Sequence, residues 1–324
     1  MTKKTKPLIN LGFKSGITII FTVFLFVLLI KNSSLASAEV IRSLKMCANM
    51  LIPSLFPLTV ASEIMTESGA VEKLTDKISA PIGKMLGVSK IATVPYFLGL
   101  FGGYTSSCKS AITLYENGKI SREDCESVIA LSNIPSLAFL TGFVGLKFLE
   151  SSSAGWILWA VTIASTVVLG LINKFLFAKK EQIYRSNINH KNTKKSFSHI
   201  VVDAIAHSAY AMLIICACVV FFSVLIAVLR IYLAQIPIPE QTKNIILGAL
   251  EITNGISNCA SIENTFFRAL SCSFLVGWSG LCVHFQVIAL CEDADISFKK
   301  YFIFKGLQGI ICTFLAWIFW SFKF

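Results

Sequence analysis

The chain has 324 residues, of which 55% are hydrophobic and only 15% are charged. Soluble globular proteins carry about 25% charged residues, and the apolar residues here form runs approaching the roughly 20 residues that cross a bilayer. Much of the formal charge of +11 lies in two short clusters beside apolar runs, which is typical of cytoplasmic loops rather than of a nucleic-acid-binding groove. The composition therefore predicts a polytopic membrane protein that contacts the lipid bilayer and no nucleic acid.

The first apolar run, from Ile17 to Ile30, follows a lysine-rich stretch. The small residues after it, in KNSSLASAEV, resemble the cleavage site of a secretory signal peptide. An uncleaved span at 12–31 fits the remaining topology better. We therefore predict an N-terminal membrane anchor over residues 1–40.

Seven further apolar segments follow the anchor. Pro53 and Pro57 predict a kink in the first of them. The stretch 244–262 is shorter and more polar than these seven. The predicted membrane segments are 46–66, 91–114, 127–148, 154–178, 203–235, 268–291 and 300–321.

The two basic clusters constrain how many segments cross. Both are expected in the cytoplasm, so an even number of crossings separates the N-terminal cluster from the one between Lys174 and Lys195. Five apolar segments lie between them, so one of the five does not cross. We predict that 91–114 is a re-entrant hairpin from the cytoplasm, because Gly102–Ser107 splits it into halves far shorter than a span. The alternative is an ordinary helix with a glycine kink and a miscounted segment elsewhere.

An internal repeat supports the hairpin. The stretch 97–121 matches 274–297 at seven positions with one gap, and both place a glycine-containing break between two apolar runs. Three predicted crossings separate the copies, so the second would enter from the opposite face. The predicted fold class is an all-α polytopic membrane protein with two inverted-topology repeats carrying re-entrant helical hairpins. The repeats would cover 41–180 and 201–324, joined by a basic cytoplasmic linker at 181–200.

This arrangement is typical of transporters whose substrate site lies near the midplane, where broken elements meet. Lys109 is the main candidate in the first hairpin, since an ionisable group inside a membrane segment usually marks a pathway or a pair. With backbone N–H groups freed by the break, Lys109 would hold a carboxylate; alternatively it reaches the interface or pairs with Glu63 or Glu116. The predicted substrate-binding residues of this hairpin are Gly102, Gly103, Thr105, Ser106, Ser107 and Lys109.

Later polar interruptions supply the other predicted substrate-binding residues. His284 changes charge near neutral pH and suits proton coupling, although a lone histidine is more often a structural residue. Asn133, two residues before Pro135, either contacts ligand or satisfies freed backbone groups. Glu251 either binds a cation or faces water. The set is Asn133, Glu251, Thr253, Asn254, Ser279, Gly280, His284 and Gln286.

Sequence motifs of enzymes and cofactor sites are missing. The ten cysteines form no C-x-x-C pair, and no histidine has a suitably spaced thiol or carboxylate, so we predict no metal site and no cofactor. The apolar segments hold no paired acids, H-E-x-x-H or G-x-S-x-G, which argues against an enzyme. No phosphate-binding G-x-x-x-x-G-K-[ST] is present, so a gradient, trapping or a separate partner would drive transport.

Six motifs are distributed along the chain: PSLFPLTVASE (53–63), GGYTSSCK (102–109), ISREDCESVIALSN (120–133), ALEITNGIS (249–257), FLVGWSGLCVHFQV (274–287) and DADISFKKYF (293–302). Together they resemble one membrane-protein family, the sporulation integral membrane proteins built on the nucleoside-recognition Gate domain. The resemblance covers about residues 40–320, and its C-terminal motif is the most specific. The first hairpin departs from the family pattern G-x-P-x-G-A-K, because it keeps the lysine and lacks the proline.

The resemblance implies Gate-type repeats and a role in spore formation, with movement of dipicolinic acid from the mother cell towards the forespore. Nucleoside carriers and ferrous-iron transporters share Gate domains, so the fold alone does not choose a substrate. We predict an integral membrane transporter of a small anionic or heteroaromatic metabolite, dipicolinic acid first. The alternatives are a non-transporting sporulation membrane protein that binds partners at the forespore envelope, and a nucleoside-type or ion carrier.

The predicted location is a membrane around the forespore, with the N-terminus in the cytoplasm. The predicted partners, besides lipid and a small-molecule substrate, are further copies of this chain or other sporulation membrane proteins.

Overall fold

The computed structural model describes residues 8–177, 196–292 and 294–321. Within these ranges the secondary structure is helical and contains no β-strand, as expected for a chain that must pair its backbone groups within lipid. Most of the linker predicted at 181–200 lies outside the described residues, as do the lysines before residue 8. The domain boundaries stay predictions.

Among the described residues, five helices are long and apolar enough to cross a membrane. Their outer faces expose large apolar side chains such as Phe221 and Phe314, which lipid would cover. The chain is therefore a multi-pass membrane protein. The five helical stretches are Ser33–Met65, Ser152–Leu176, Phe197–Ala234, Thr265–Leu290 and Lys299–Phe319.

The N-terminal region consists of four α-helices and one π-helical turn. Proline cannot donate the backbone hydrogen bond of a helix interior, and the π-helical turn lies just before Pro53 and Pro57. Of these elements, α2 and α3 pack against the long later helix at Phe197–Ala234, whereas α4 packs against the helices at Ser152–Leu176 and Thr93–Glu116. They are α1 (Leu8–Lys31), α2 (Ser33–Met46), π1 (Cys47–Leu51), α3 (Ile52–Glu67) and α4 (Ala70–Leu86).

Helix α5 (Thr93–Glu116) folds back on itself at Gly103. The φ of 77° and ψ of −171° at Gly103 favour glycine, which has no Cβ. In a straight helix residues 99 and 107 would be about 12 Å apart. A Cβ built on Gly99 would instead lie 3.2 Å from the Cβ of Ser107, so the two limbs lie side by side. We call α5 hairpin 1.

Helix α6 (Arg122–Ser132) runs along hairpin 1 towards its turn. Ser121 begins α6 by accepting the Asp124 N–H at 3.0 Å. The Cys125 thiol reaches the Ala111 carbonyl oxygen at 3.6 Å, and the Ser132 and Ser107 hydroxyls are hydrogen bonded. The chain is then irregular at 133–136, which we call break 1, and becomes helical again before π2 (Phe139–Phe148).

Two long helices connect the halves of the chain. Helix α7 (Ser152–Leu176) packs closely on π2, because a Cβ on Gly145 would lie 2.7 Å from the Cα of Gly155. Near its end, Asn173 donates its amide to the Leu86 carbonyl oxygen at 2.8 Å and so caps α4. Helix α8 (Phe197–Ala234) packs against α2 and α3.

Helices α9 (Glu240–Gly248) and α10 (Ile252–Cys259) form a second tight pair, which we call hairpin 2. A Cβ on Gly248 would lie 2.7 Å from the Cα of Gly255 and 2.9 Å from Leu275 Cδ1. The two glycines therefore allow the limbs to touch each other while both pack against α11.

The C-terminal region contains α11 (Thr265–Trp278), α12 (Leu281–Leu290) and α13 (Lys299–Ser321). Ser279 and Gly280, with φ of 74° and 84°, separate α11 from α12, and we call them break 2. A Cβ on Gly277 would lie 2.7 Å from Gly309 Cα, and further along the chain His284 contacts Tyr301. The chain therefore continues in one direction, antiparallel to α13, through break 2.

The path of α11 and α12, which continues in one direction, differs from the hairpin predicted at 274–297. The sequence match pairs a helix that reverses, α5, with an interrupted helix that continues, α11–α12. Both types of element need a glycine between two apolar runs, so the shared pattern did not distinguish them. In the structure, the tight pair in the second half is instead hairpin 2.

Contacts bring several helix ends together at one end of the bundle. Arg122 pairs with Asp295 at 3.0 Å, and Asp124 accepts the Ser89 N–H at 3.3 Å. Lys300 lies 4.9 Å from the centre of the Phe177 ring. We call this the Arg122 end. Because α11 is antiparallel to α13, α11 begins at the opposite end, which we call the Thr265 end.

Candidate functional site

A cavity of about 70 Å³ lies where hairpin 1, hairpin 2 and the two breaks meet. The breaks expose short polar side chains and backbone within an otherwise apolar interior. Apolar side chains of π1, α3 and α8 form another wall. Representative lining residues are Tyr104 of hairpin 1, Ser136 of break 1, Thr253 of hairpin 2, and Ser279 and Gln286 around break 2.

Seven of the predicted substrate-binding residues line this cavity. They come from positions more than 140 residues apart in the chain, which shows that the fold brings the two halves together here. They are Gly102, Gly103, Thr105, Glu251, Thr253, Ser279 and Gln286.

Six other predicted residues are buried near the cavity without lining it. Ser107 is tied to Ser132, and Gly280 packs against the backbone of hairpin 2 at Glu251 and Ile252. The six are Ser106, Ser107, Asn133, Asn254, Gly280 and His284.

Lys109 lies away from the cavity. Its side chain is 46% exposed, and its Nζ is 3.7 Å from Glu63 Oε1. The pairing with Glu63 was the alternative interpretation of the sequence. The structure gives no contact between Lys109 and the cavity, because the hairpin limb turns this side chain outward.

Glu251 is the acidic residue of the cavity lining. It begins α10 with an extended backbone and accepts the N–H groups of Thr253 at 2.8 Å and Asn254 at 2.7 Å. The Asn254 side-chain amide donates to it as well, at 2.8 Å. A carboxylate is favoured at a helix N-terminus, where backbone N–H groups lack helical partners.

Asn254 connects Glu251 to the surrounding helices. Its amide nitrogen also donates to the Ser223 hydroxyl on α8 at 2.6 Å. Its oxygen accepts from Arg42 on α2 at 3.0 Å, and Arg42 is paired with Glu39. The turn of hairpin 2 is therefore held by α2 and α8.

Tyr104 was not predicted but joins the two halves directly across the cavity. Its hydroxyl donates to Gln286 Oε1 at 2.5 Å, and the Gln286 amide contacts the Cys282 sulfur at 3.3 Å. An aromatic residue within an apolar run gives no distinctive sequence signal, which is why Tyr104 was missed.

A buried polar cluster lies behind break 1, on α13. The Tyr301 hydroxyl accepts from the Asn133 amide and is 2.7 Å from His284 Nδ1. One turn further, Lys305 is fully buried and donates to the Asn133 carbonyl oxygen at 2.8 Å and to Gln308 Oε1 at 2.7 Å. A lysine inside the last predicted segment was the available sequence signal for this cluster.

The fold and cavity define a class: a multi-pass helical membrane protein whose interrupted helices enclose a mostly apolar cavity with a few polar side chains. The chain is similar to the sporulation integral membrane protein YlbJ of Bacillus subtilis (strain 168), with 25% identity over 335 residues, covering 93% of this chain and 81% of that protein. No protein-family model matches the chain, and no solved structure matches it. The similarity supports the predicted relation to sporulation membrane proteins, whereas the Gate domain stays a prediction.

Proposed function

We propose that this protein is a membrane transporter, not an enzyme, and that the cavity binds its substrate. The observation that carries the proposal is the meeting of four interruptions, from both halves of the chain, around one cavity. Irregular backbone at membrane depth is tolerated where it is buried in protein or lines an aqueous space. Transporters use such broken elements to bind substrate near the midplane.

Two inverted halves with re-entrant hairpins are part of the proposal. Hairpin 1 starts shortly after Ser89 and ends shortly before Ser121, so the contacts at the Arg122 end support entry and return there. Hairpin 2 directly precedes α11. Because α11 begins at the Thr265 end, its position supports entry of hairpin 2 from that end. Each hairpin is followed by an interrupted helix and a crossing helix, α7 or α13. In this proposal hairpin 1 corresponds to hairpin 2, and no longer to the stretch 274–297 that it matches in sequence.

The proposed substrate is a small heteroaromatic metabolite, with dipicolinic acid tested first. Tyr104 and Phe139 offer aromatic surfaces, and Gln286, Ser136 and Thr253 offer neutral hydrogen-bonding groups. Glu251 is the ionisable acid of this lining, and no lysine or arginine of the described residues lines it. The lining therefore favours a dipicolinate whose charge is reduced by a bound proton or cation.

We place this activity in spore formation because the similar protein YlbJ is a sporulation integral membrane protein. The proposed location is a membrane around the forespore, with the basic linker and the N-terminus in the cytoplasm. Spores from cells lacking this protein would contain less dipicolinic acid and would be less resistant to heat.

Uptake of radiolabelled dipicolinate into proteoliposomes tests the transport proposal. Wild type should show saturable uptake of unchanged dipicolinate, whereas Gln286→Leu should lose most of it because Gln286 lines the cavity and holds Tyr104. Lys109→Ala is the matched control and should transport normally. Absence of saturable uptake of dipicolinate and of nucleosides by folded wild type would favour the non-transporting, partner-binding alternative.

Cysteine labelling from each side of the membrane tests the inverted hairpins. In a background with the native cysteines replaced, Lys90→Cys and Lys119→Cys flank hairpin 1 and should be labelled from one side. Ser261→Cys, which follows hairpin 2, should be labelled from the other side. All three positions are exposed. Labelling of Lys90→Cys and Lys119→Cys from opposite sides would show that α5 crosses.

A further inference from the structure

Lys305 lies in the second turn of α13 with its side chain fully buried. Its Nζ donates to two neutral oxygens, the Asn133 carbonyl at 2.8 Å and Gln308 Oε1 at 2.7 Å. Gln308 in turn donates to the Ser165 hydroxyl on α7 at 3.2 Å. Among the described residues, no carboxylate lies within 4.0 Å of Lys305 Nζ. This lysine is therefore held by dipoles rather than by a counter-charge.

The groups around Lys305 leave its charge uncompensated. Ionisable groups near it are His284 of α12 and Cys312 of α13, and His284 in turn contacts Tyr301 of α13. The elements packed on α13 carry their charged residues elsewhere: Glu123, Asp124 and Glu126 of α6 lie near Lys300, Lys174 of α7 lies beside Gly87, and Arg268 of α11 donates to the Ile262 carbonyl oxygen.

Two opposing effects act on the ammonium group. Burial away from water disfavours the charged form of a lysine. The C-terminal end of α6, where Asn133 is the capping residue, carries partial negative charge that favours it. Both an amine and an ammonium can donate to the two oxygens, so neither form loses its hydrogen bonds.

Break 1 connects Lys305 to the cavity. The Asn133 carbonyl that it binds belongs to break 1, and Pro135 and Ser136 of the same break line the cavity. Negative charge placed in the cavity would favour the ammonium, since few water molecules screen charges at this depth.

We propose that Lys305 is a proton-binding site that loads when an anion occupies the cavity and empties when the anion leaves. On loading, the Nζ lone pair takes a proton from water to form an ammonium; on release the proton returns to water on the other side. Binding of anion and proton is then mutually favourable, as linkage requires. The proposal rests on the transport function proposed above and names the coupling ion of that site.

Two variants fix the charge of this position. Arginine stays protonated in proteins and glutamine carries no charge, so Lys305→Arg and Lys305→Gln represent the two states. Wild type should take up about one proton more for each dipicolinate bound than either variant, when binding heats are compared in buffers of different ionisation enthalpy. His284→Gln should take up the same number of protons as wild type. Equal proton uptake in wild type and both variants, or none in wild type, would overturn the proposal.

A ligand-free measurement separates this proposal from the transport function. In protein labelled with ¹³C at lysine Cε, the resonance absent from Lys305→Gln should change position with pH in the ligand-free protein, as the Lys305 amine and ammonium interconvert. A Lys305 resonance that is constant at every pH at which the protein stays folded would reject the proton site. If that resonance titrates but dipicolinate does not bind, the transport function with this substrate fails and the proton site stands.

Discussion

Substitution of Gly248 by alanine tests the close packing of hairpin 2. The new Cβ would lie 2.7 Å from the Cα of Gly255 and 2.9 Å from Leu275 Cδ1. The leucine side chain can rotate away, but the Gly255 backbone moves only if the limbs separate by about 0.7 Å to reach an ordinary contact of 3.4 Å. Overpacking of this kind costs about 1–3 kcal/mol, and up to about 1 kcal/mol is recovered because alanine favours helix over glycine.

We therefore expect Gly248→Ala to lose about 1–2 kcal/mol of stability. This loss corresponds to a fall of roughly 2–5 °C in the unfolding temperature in detergent. Gly306→Ala is the matched control, because a Cβ on Gly306 of α13 has no neighbour within 4 Å, and it should leave the unfolding temperature unchanged or slightly raised. If Gly248→Ala unfolds at the wild-type temperature, the two limbs are not packed as described.

Four further substitutions test contacts between the helices, each by thermal unfolding in detergent. Asn173→Ala should lose about 1–2 kcal/mol, because it leaves a buried α4 carbonyl unpaired; a loss under 0.5 kcal/mol would contradict that cap. Glu126→Ala should destabilise the protein more than Asp295→Ala. Glu126 accepts a backbone N–H as well as a guanidinium, whereas the side chain of Asp295 is 90% exposed. A larger loss of stability for Asp295→Ala would refute this explanation. Tyr301→Phe keeps the ring but leaves His284 Nδ1 without its hydroxyl partner, so about 1–3 kcal/mol of stability should be lost. An unchanged unfolding temperature would show that the hydroxyl is dispensable.

The membrane class followed from composition, because apolar runs of this length have few other stable environments. The backbone break at Gly103 was also predictable, since it depends on a local property of glycine, whereas re-entry of this segment into the membrane stays a prediction. Hairpin 2, in the second half of the chain, was not predicted from the sequence. Its limbs, α9 and α10, are short and partly polar, and their pairing depends on contacts with Leu275 that no local pattern encodes.

The site was predictable where it depends on polar interruptions and not where it depends on side-chain direction. Gly102, Thr253 and Gln286 were named from the breaks and line the cavity. Lys109 was named for its charge, but its direction follows from how hairpin 1 packs, and it pairs with Glu63 instead. Lys305 was overlooked because a single lysine near the end of a predicted span resembles an interface residue that reaches water.

The proposed proton site gives an electrostatic reason for carrying a monoanion with a proton. Glu251, held by three N–H donors, supplies one negative charge at the cavity. With Lys305 as an amine and the cavity empty, the interior carries a net charge of about −1. A monoanion and a proton on Lys305 add charges that cancel, so the loaded interior carries the same net charge. Because an uncompensated charge is costly in a membrane interior, equal charge in both states lets empty and loaded forms rearrange with similar electrostatic cost. A Lys305→Gln variant would lack this balance, and its loaded form should rearrange more slowly than its empty form.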